Sequence, residues 1–551
     1  MFIDNYKSEA PDMDGPPMIL TGISKSFGTQ KIFSGVDLVV GNKDRIGIIG
    51  PNGTGKSTLL KIITGQEEND DGDISKNKDL RIGYLPQETH WNSLENEIID
   101  EMRTADPKMS ELLAKKKEYE NIMSDTKRSD LEEKVREYGK VVEEFENLGG
   151  YAYENLAEET LRKFNFPEDD WNRSVKSLSG GERTRLALSK IMINNPNLLV
   201  LDEPTNHLDL ATIEWLEKFL MEWKMAIIIV SHDKRFLDSI CTSIFELRKD
   251  GSKRYPFNYS GYVLEKEKMK DAEAEAFKRQ EKYLEKQEEF IERFRYKATK
   301  ARAVQSRIKM LDKIEKVEEP EGDHKKIRIN LDVGEGLPSK VMVIENLFFG
   351  AKNFPLAILE GTWEIGKKEK IGIIGPNGAG KSMLLKTLLG KIEPIDGKIK
   401  ISGRVKIGYY AQSHEELDPS KNVFDEVQFK TGSSHQEIRN ILGSLLFSGE
   451  DVFKSVSDLS GGERARVAIA ELILSGSNML FLDEPTNHLD LDSKNCVIDV
   501  LKKYGGPIMM VSHDRDVLEK VCNVIWEFKD NAVTKYLGNY DDYFHKKYGS
   551  A

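Results

Sequence analysis

The stretch IGIIGPNGTGKSTLLKIITG, residues 46–65, returns as IGIIGPNGAGKSMLLKTLLG at 371–390. Each copy holds the pattern GxxxxGK[ST], as Gly50-Pro51-Asn52-Gly53-Thr54-Gly55-Lys56-Ser57 and as Gly375-Pro376-Asn377-Gly378-Ala379-Gly380-Lys381-Ser382. A β-branched apolar run precedes the loop and an amphipathic stretch follows it, the strand–loop–helix order of a phosphate-binding loop. Glycines let the backbone curl so that successive N–H groups face one anion. The helix opening at Ser57 adds the positive end of its dipole. Lys56 is expected to bridge the β- and γ-phosphates of a nucleoside triphosphate, and the Ser57 hydroxyl to ligate Mg2+. Lys381 and Ser382 repeat these roles. Met383 stands where the first copy has Thr58, which leaves the Mg2+-binding serine in place.

Other matches extend the repeat. LSGGERTRLALSKIM at 178–192 returns as LSGGERARVAIAELI at 459–473, LLVLDEPTNHLDL as MLFLDEPTNHLDL, VSHDK at 230–234 as VSHDR at 511–515, and NYSGY at 258–262 as NYDDY at 539–543. The offset is 325 residues up to Gln87 and Gln412 and 281 from Ser179 onward, so the first half carries 44 extra residues between them. That insert, about 90–155, is rich in Glu, Lys, Leu and Met and reads as a helical pair. About 60 charged residues, Tyr262 to His324, join the halves without Gly or Pro until Pro320-Glu321-Gly322. They read as two long helices, a hairpin or a solvated spacer.

The apolar run NLLVLDE ends in two carboxylates. Asp202 at the strand end is expected in the Mg2+ shell, and Glu203, on the other side of the strand, can polarise an attacking water. Asp483 and Glu484 repeat the pair. Ser179-Gly180-Gly181 and Ser460-Gly461-Gly462 open helices, which reads either as an N-cap with a flexible turn or as a second anion site.

Composition narrows the class. A chain of 551 residues exceeds one hydrophobic core, so more than one domain is expected. Three cysteines give neither a disulfide framework nor a CxxC metal pair, and a reducing, cytoplasmic setting is expected. The first residues, MFIDNYKSEAPDMDGPP, lack the apolar stretch of a secretory signal. The longest apolar run, MAIIIV at 225–230, falls far short of the ~20 residues a membrane span needs. Formal net charge is −12, yet Arg293–Lys316 holds nine basic residues, Arg293, Arg295, Lys297, Lys300, Arg302, Arg307, Lys309, Lys313 and Lys316, against Asp312 and Glu315.

The ordered set of phosphate loop, LSGGER, LDEPTNHLD and SHD resembles ATP-binding cassette proteins. In that family the LSGG of one cassette closes over ATP held on the other. The resemblance implies one site pairing Gly50–Thr58 with Ser460–Gly462 and another pairing Gly375–Met383 with Ser179–Gly181. It implies that Gln87 and Gln412 sense Mg2+ and the attacking water, that His232 and His513 contact the γ-phosphate, and that Phe27 and Phe349 stack on adenine or serve as core aromatics. The fold implied is α/β: two tandem ATPase domains, each a phosphate-loop core with a helical subdomain, joined by a helical-hairpin linker. The expected limits are a tail at 1–17, one domain at 18–260, the linker at 261–326 and a second domain at 327–551.

Tandem cassettes, an arm inserted only in the first, and the charged linker KATKARAVQSRIKMLDK resemble the ABC-F family along nearly the whole chain. That resemblance implies a monomeric, cytoplasmic ATP hydrolase that binds the ribosome at the tRNA exit site in its ATP-closed state. The basic linker would lie against tRNA and ribosomal RNA, with Tyr296 able to stack on a base or pack in a coiled coil. Phosphate contacts of this kind weaken steeply with salt. Two alternatives stay open: an antibiotic-protection factor, which the short turn near RYKATKA disfavours, and the ATPase subunit of a membrane transporter, which the linker and arm disfavour. A membrane or DNA partner is not expected.

Overall fold

The computed structural model describes residues 14–89, 91–123, 131–294, 305–306, 309–311, 336–351, 354–411, 417–447, 449–487 and 489–549. In the first half a six-stranded sheet runs in the order 82–85, 198–202, 226–230, 45–49, 243–248, 251–255. All neighbours are parallel except the last pair. Leu198–Asp202 and Ala226–Val230 are buried along their whole length. Such strands read as continuous apolar runs because helices cover both faces of a parallel sheet. The helix Lys56–Thr64 supplies one cover through Leu59, Leu60, Ile62 and Ile63. A three-stranded antiparallel sheet, in the order 30–40, 18–27, 71–76, stands beside this core.

The second half repeats the core order as 407–410, 479–483, 508–511, 370–374, 524–529, 532–537. Here its antiparallel strands 354–366, 340–351 and 396–401 join the same sheet through one parallel contact, Ile358 with Ala532. The phosphate loops and acidic pairs therefore lie at the carboxyl ends of parallel strands separated by one intervening strand, where open α/β sheets place their ligands.

The insert of the first half contains the helices Pro107–Met123 and Leu131–Asn147, flanked by Ile98–Arg103 and Gly150–Lys163. Met109, Leu112 and Phe145 form a small core of their own at the base of this pair. From the end of the first half one helix runs without a break from Tyr259 to Phe294. Its 36 residues give it a length of about 54 Å. Tyr262 anchors its start in the core and Lys266 pairs with Glu246 at 2.7 Å. Arg293 and Lys309 of the basic stretch are exposed. Arg295, Tyr296, Lys297, Lys300, Arg302, Arg307, Lys313 and Lys316 lie outside the described residues, as do the expected return helix and hairpin tip.

Candidate functional sites between the two halves

Each phosphate loop leads into a helix that begins at its lysine, Lys56–Thr64 and Lys381–Leu388. The preceding glycines are left-handed, Gly55 at φ 83° and Gly380 at φ 92°, a region costly for residues with a Cβ. At Gly55 a methyl group would also sit 2.3 Å from Ile32 Cγ2. Lys56 Nζ donates to the carbonyls of Gly50 and Pro51 at 2.9 and 3.1 Å, and Lys381 Nζ to those of Gly375 and Pro376, both at 2.8 Å. Burial lowers both ammonium groups, Lys381 to about 8. A phosphate in the loop would favour the charged form of both lysines.

Ser382 Oγ donates to Asp483 Oδ1 at 2.9 Å, and Ser57 bonds Asp202 in the same way. Asp202 Oδ1 is buried and, among the described residues, has no hydrogen-bond partner. A serine hydroxyl beside an unpaired carboxylate oxygen is a hard oxygen donor set, so Ser57 with Asp202 and Ser382 with Asp483 fit Mg2+. When bound, Mg2+ would neutralise charge on the β- and γ-phosphates there.

The next residue on each strand end breaks the local rule. Glu203 and Glu484 are left-handed, at φ 48° and 51°, and such strain in non-glycine residues gathers at functional sites. The Glu203 N–H is held by the Val230 carbonyl at 2.9 Å, and its carboxylate accepts from the His232 N–H at 3.2 Å. His232 Nε2 stands 3.3 Å from Glu203 Oε1, and His513 Nε2 stands 3.5 Å from Glu484 Oε1. Burial raises Glu203 to about 7, opposed by Lys494 and Lys56, and raises Glu484 to about 8, opposed by Lys381. Burial lowers both histidines to about 3, so each Glu–His approach is a contact with a neutral imidazole, not an ion pair. A carboxyl group with raised proton affinity, held by the backbone N–H of the following loop's histidine, suits a general base for water.

The halves meet head to tail across these sites. The Asn52 N–H donates to Asp490 Oδ2 at 3.1 Å, and the Asn377 N–H to Asp209 Oδ2 at 3.2 Å. Asn377 Nδ2 adds a bond to the His207 carbonyl at 2.8 Å. Gly180 faces the second loop: a methyl group there would lie 3.3 Å from the His207 carbonyl oxygen and 3.8 Å from Asn377 Nδ2. A cavity of about 480 Å³ at this junction is lined by residues of both halves, among them His207, Leu208 and Ile213 of one and Lys381, Glu484 and Lys494 of the other. Ser179 caps its helix in a reciprocal box with Glu182, and Ser460 does the same with Glu463, which explains the glutamate of LSGGER.

Three expected residues need comment and one a correction. Phe27 is exposed, with Lys25 Nζ 5.3 Å from its ring centroid. Phe349, expected to stack on adenine, is instead wholly buried and packs edge-on against Phe528 at 6.2 Å. Strand alternation turns it into the core, so it has no free face for a base. Gln87 is exposed, and Gln412 lies outside the described residues.

A family model described as ABC transporter matches residues 33–206 and 360–487, and a companion ABC transporter model matches 245–330. The chain belongs to the ABC-F family of ATP-binding cassette proteins. It is an ATP-binding and ATP-hydrolysing protein. It is 40% identical over 526 residues to the putative ATP-binding protein YdiF of Bacillus subtilis (strain 168), covering 95% of this chain and 82% of that one. It is 32% identical to the energy-dependent translational throttle protein EttA of Escherichia coli (strain K12), covering 91% and 90%. A solved structure titled RNase-L Inhibitor superposes with a TM-score of 0.58 at 20% identity, over 95% of this chain and 92% of that one. Among the described residues no helix is long and apolar enough to cross a membrane.

Several residues at the ends of the repeated motifs take interface roles that the motifs alone did not reveal. Asp209 and Asp490, the last residue of each LDEPTNHLD, cap the helices at Leu210 and Leu491 while receiving the facing loop. Lys234 and Arg515, directly after each SHD, cross to the opposite cassette. Lys234 reaches Asp516 at 2.6 Å, and Arg515 reaches Glu217 at 2.6 and 3.0 Å and Asp233 at 3.2 Å.

Proposed function

We propose that this chain is a translation factor that binds the ribosome at the tRNA exit site in its ATP-closed state and leaves after hydrolysis. The observation that carries the reading is the long helix Tyr259–Phe294, which leaves the first cassette and runs straight into the basic stretch beginning at Arg293. A cassette pair that closes head to tail draws the two ends of this connection together, so nucleotide state sets the placement of nine basic residues. The EttA relative, named for translational throttling, supports the same class of partner.

Mg2+-ATP fills both sites, with Lys56 and Lys381 on the phosphates and Glu203 and Glu484 taking a proton from water. Because each site is completed from across the interface, binding favours closure and loss of the γ-phosphate favours opening. Linker contacts to tRNA and ribosomal RNA phosphates then make the affinity fall with salt. Limits near 18–260, 261–326 and 327–551 fit this division of labour, with the tail at 1–17 apart.

The test is sedimentation of a Glu203→Gln, Glu484→Gln variant with ribosomes, with and without ATP. A second variant adds neutral residues at the nine basic positions of 293–316. ATP-dependent pelleting that disappears in the second variant is expected. No pelleting in either nucleotide state would refute the ribosomal reading, and pelleting that survives neutralisation would refute the linker's part in it.

A further inference from the structure

The constant offset of 281 residues through the second part of each cassette lets the two sites be compared position by position. Asp490 matches Asp209, and Ser493 matches Thr212. Each aspartate caps its helix by accepting from that next residue's N–H, at 2.9 Å in both cassettes. One residue later Lys494 stands opposite Ile213. Ile213 is 3% exposed and belongs to the core of the first cassette.

Lys494 does something no aliphatic side chain can. Its Nζ is anchored on its own cassette by Asp514 Oδ2 at 2.8 Å, and it donates across the interface to the carbonyl of His232 at 3.1 Å. The side chain is only 14% exposed. Burial alone would pull this ammonium down, yet Asp514, Asp233 and Glu203 together hold it above the usual lysine range. Lys494 also lines the cavity that holds Lys381 and Glu484, but its one hydrogen bond across the interface, among the described residues, goes to the His232 loop of the first cassette. The site of the first cassette thus receives a fixed charge in trans and a backbone clamp on its histidine loop. At the corresponding place the site of the second cassette has Ile213.

We propose that the two ATP sites are unequal, and that Lys494, crossing from the second cassette onto the His232 loop of the first, is the positioning residue that makes the first site the faster one. It acts by holding the His232 loop in register with Glu203 and by setting a preorganised charge beside the glutamate, which costs no rearrangement during the reaction. The contact exists only when the cassettes are closed, so the first site is completed by closure to a greater degree than the second. This inference rests on Glu203 and Glu484 as the two water-activating groups and is independent of the ribosomal reading.

The test is single-turnover hydrolysis of radiolabelled ATP by the full chain without ribosomes, followed by rapid quench so that product release does not enter the rate. Glu484→Gln leaves only the first site active, and Glu203→Gln leaves only the second. In the first background Lys494→Met should slow hydrolysis at least tenfold, with the half-saturating ATP concentration within twofold. Lys494→Arg, which keeps the charge and a donor, should recover the rate to within threefold of the parent. In the second background Lys494→Met should slow hydrolysis by less than threefold. Equal losses in both backgrounds, including complete inactivity in both, would reduce Lys494 to an interface tie and overturn the inference. So would no loss in either background, or failure of Lys494→Arg to rescue. Hydrolysis surviving in the double glutamine variant would show separately that the site assignment is wrong, and the inference would fall with it.

Discussion

Arg515 offers the sharpest test of the closed interface. Its guanidinium bonds both oxygens of Glu217 and one of Asp233 in the other cassette. Side-chain exposure is 9% for Arg515, 13% for Glu217 and 16% for Asp233, so this is a desolvated charge cluster, not a rim contact. Burial pulls the guanidinium down, but Asp233 and Glu217 outweigh it and raise its proton affinity. Replacing Arg515 with Met keeps most of the packing and strands two carboxylates in the closed state. Removing one partner of a buried pair costs about 3–5 kcal/mol. When the cassettes separate, both carboxylates return to water, so the penalty falls on closure alone. At the lower figure of about 3 kcal/mol, closure should weaken by roughly 10²-fold, at ~1.4 kcal/mol per decade. The assay is the ATP concentration at which the Glu203→Gln, Glu484→Gln protein becomes compact in small-angle X-ray scattering, with and without Arg515→Met. Adding Glu217→Gln to Arg515→Met should recover part of the loss, because one stranded charge is then gone. A midpoint shifted by less than threefold would refute the claim that this cluster stabilises the closed form.

Three other outcomes follow from the same geometry. Glu203→Gln with Glu484→Gln should lower ATP turnover at least ~10²-fold while ATP still closes the cassettes, because a positioned general base contributes roughly that much. In the nucleotide-free protein, Glu203 and Glu484 titrate near 7 and 8 against an ordinary value of 4.5. A raised folded-state value gives stability that is present at low pH and lost as pH rises through about 7 and then 8. Between about pH 6.5 and 8.5 stability should fall by on the order of 2 kcal/mol, after the two histidines, which titrate near 6.5 only when unfolded, offset part of the loss. Thermal melts of the double glutamine variant should lack that fall. Gly55→Ala should destabilise the fold by at least ~1–2 kcal/mol, from a left-handed backbone with a Cβ and a clash with Ile32, and should abolish ATP binding. Denaturant unfolding and nucleotide titration read the two effects.

The fold was largely legible because its motifs are tied to backbone geometry. A loop such as GPNGTGKS demands glycines at left-handed positions and a helix behind it, and the structure supplies φ 79° at Gly53, 83° at Gly55, and a helix from Lys56. The 44-residue excess in the first half becomes the helical arm because residues 107–147 cannot bury a face against the sheet and instead pack on each other. Phe349 shows where reading by motif fails. It shares the Phe-Gly context of Phe27, but inward alternation along its strand places it on Phe528, and a single sequence shows the dipeptide without the pleat.

What stayed hidden was the wiring between the cassettes. Lys234, Arg515 and Lys494 look like ordinary charges on helix starts, the most common kind of solvated residue. They acquire meaning only because the second cassette turns back on the first, which brings residues some 280 positions apart into hydrogen-bond range. The same folding also breaks the repeat's symmetry. Two lysines at the 213 and 494 positions would bring a second positive charge to the shared interface, where one ammonium already engages Asp514 and the His232 carbonyl. A duplicated chain can keep the same phosphate-loop pattern in both halves and still differ where the halves meet, because a contact across the interface forms once and need not be repeated. The pairing of Lys494 with Ile213 is the form that difference takes here.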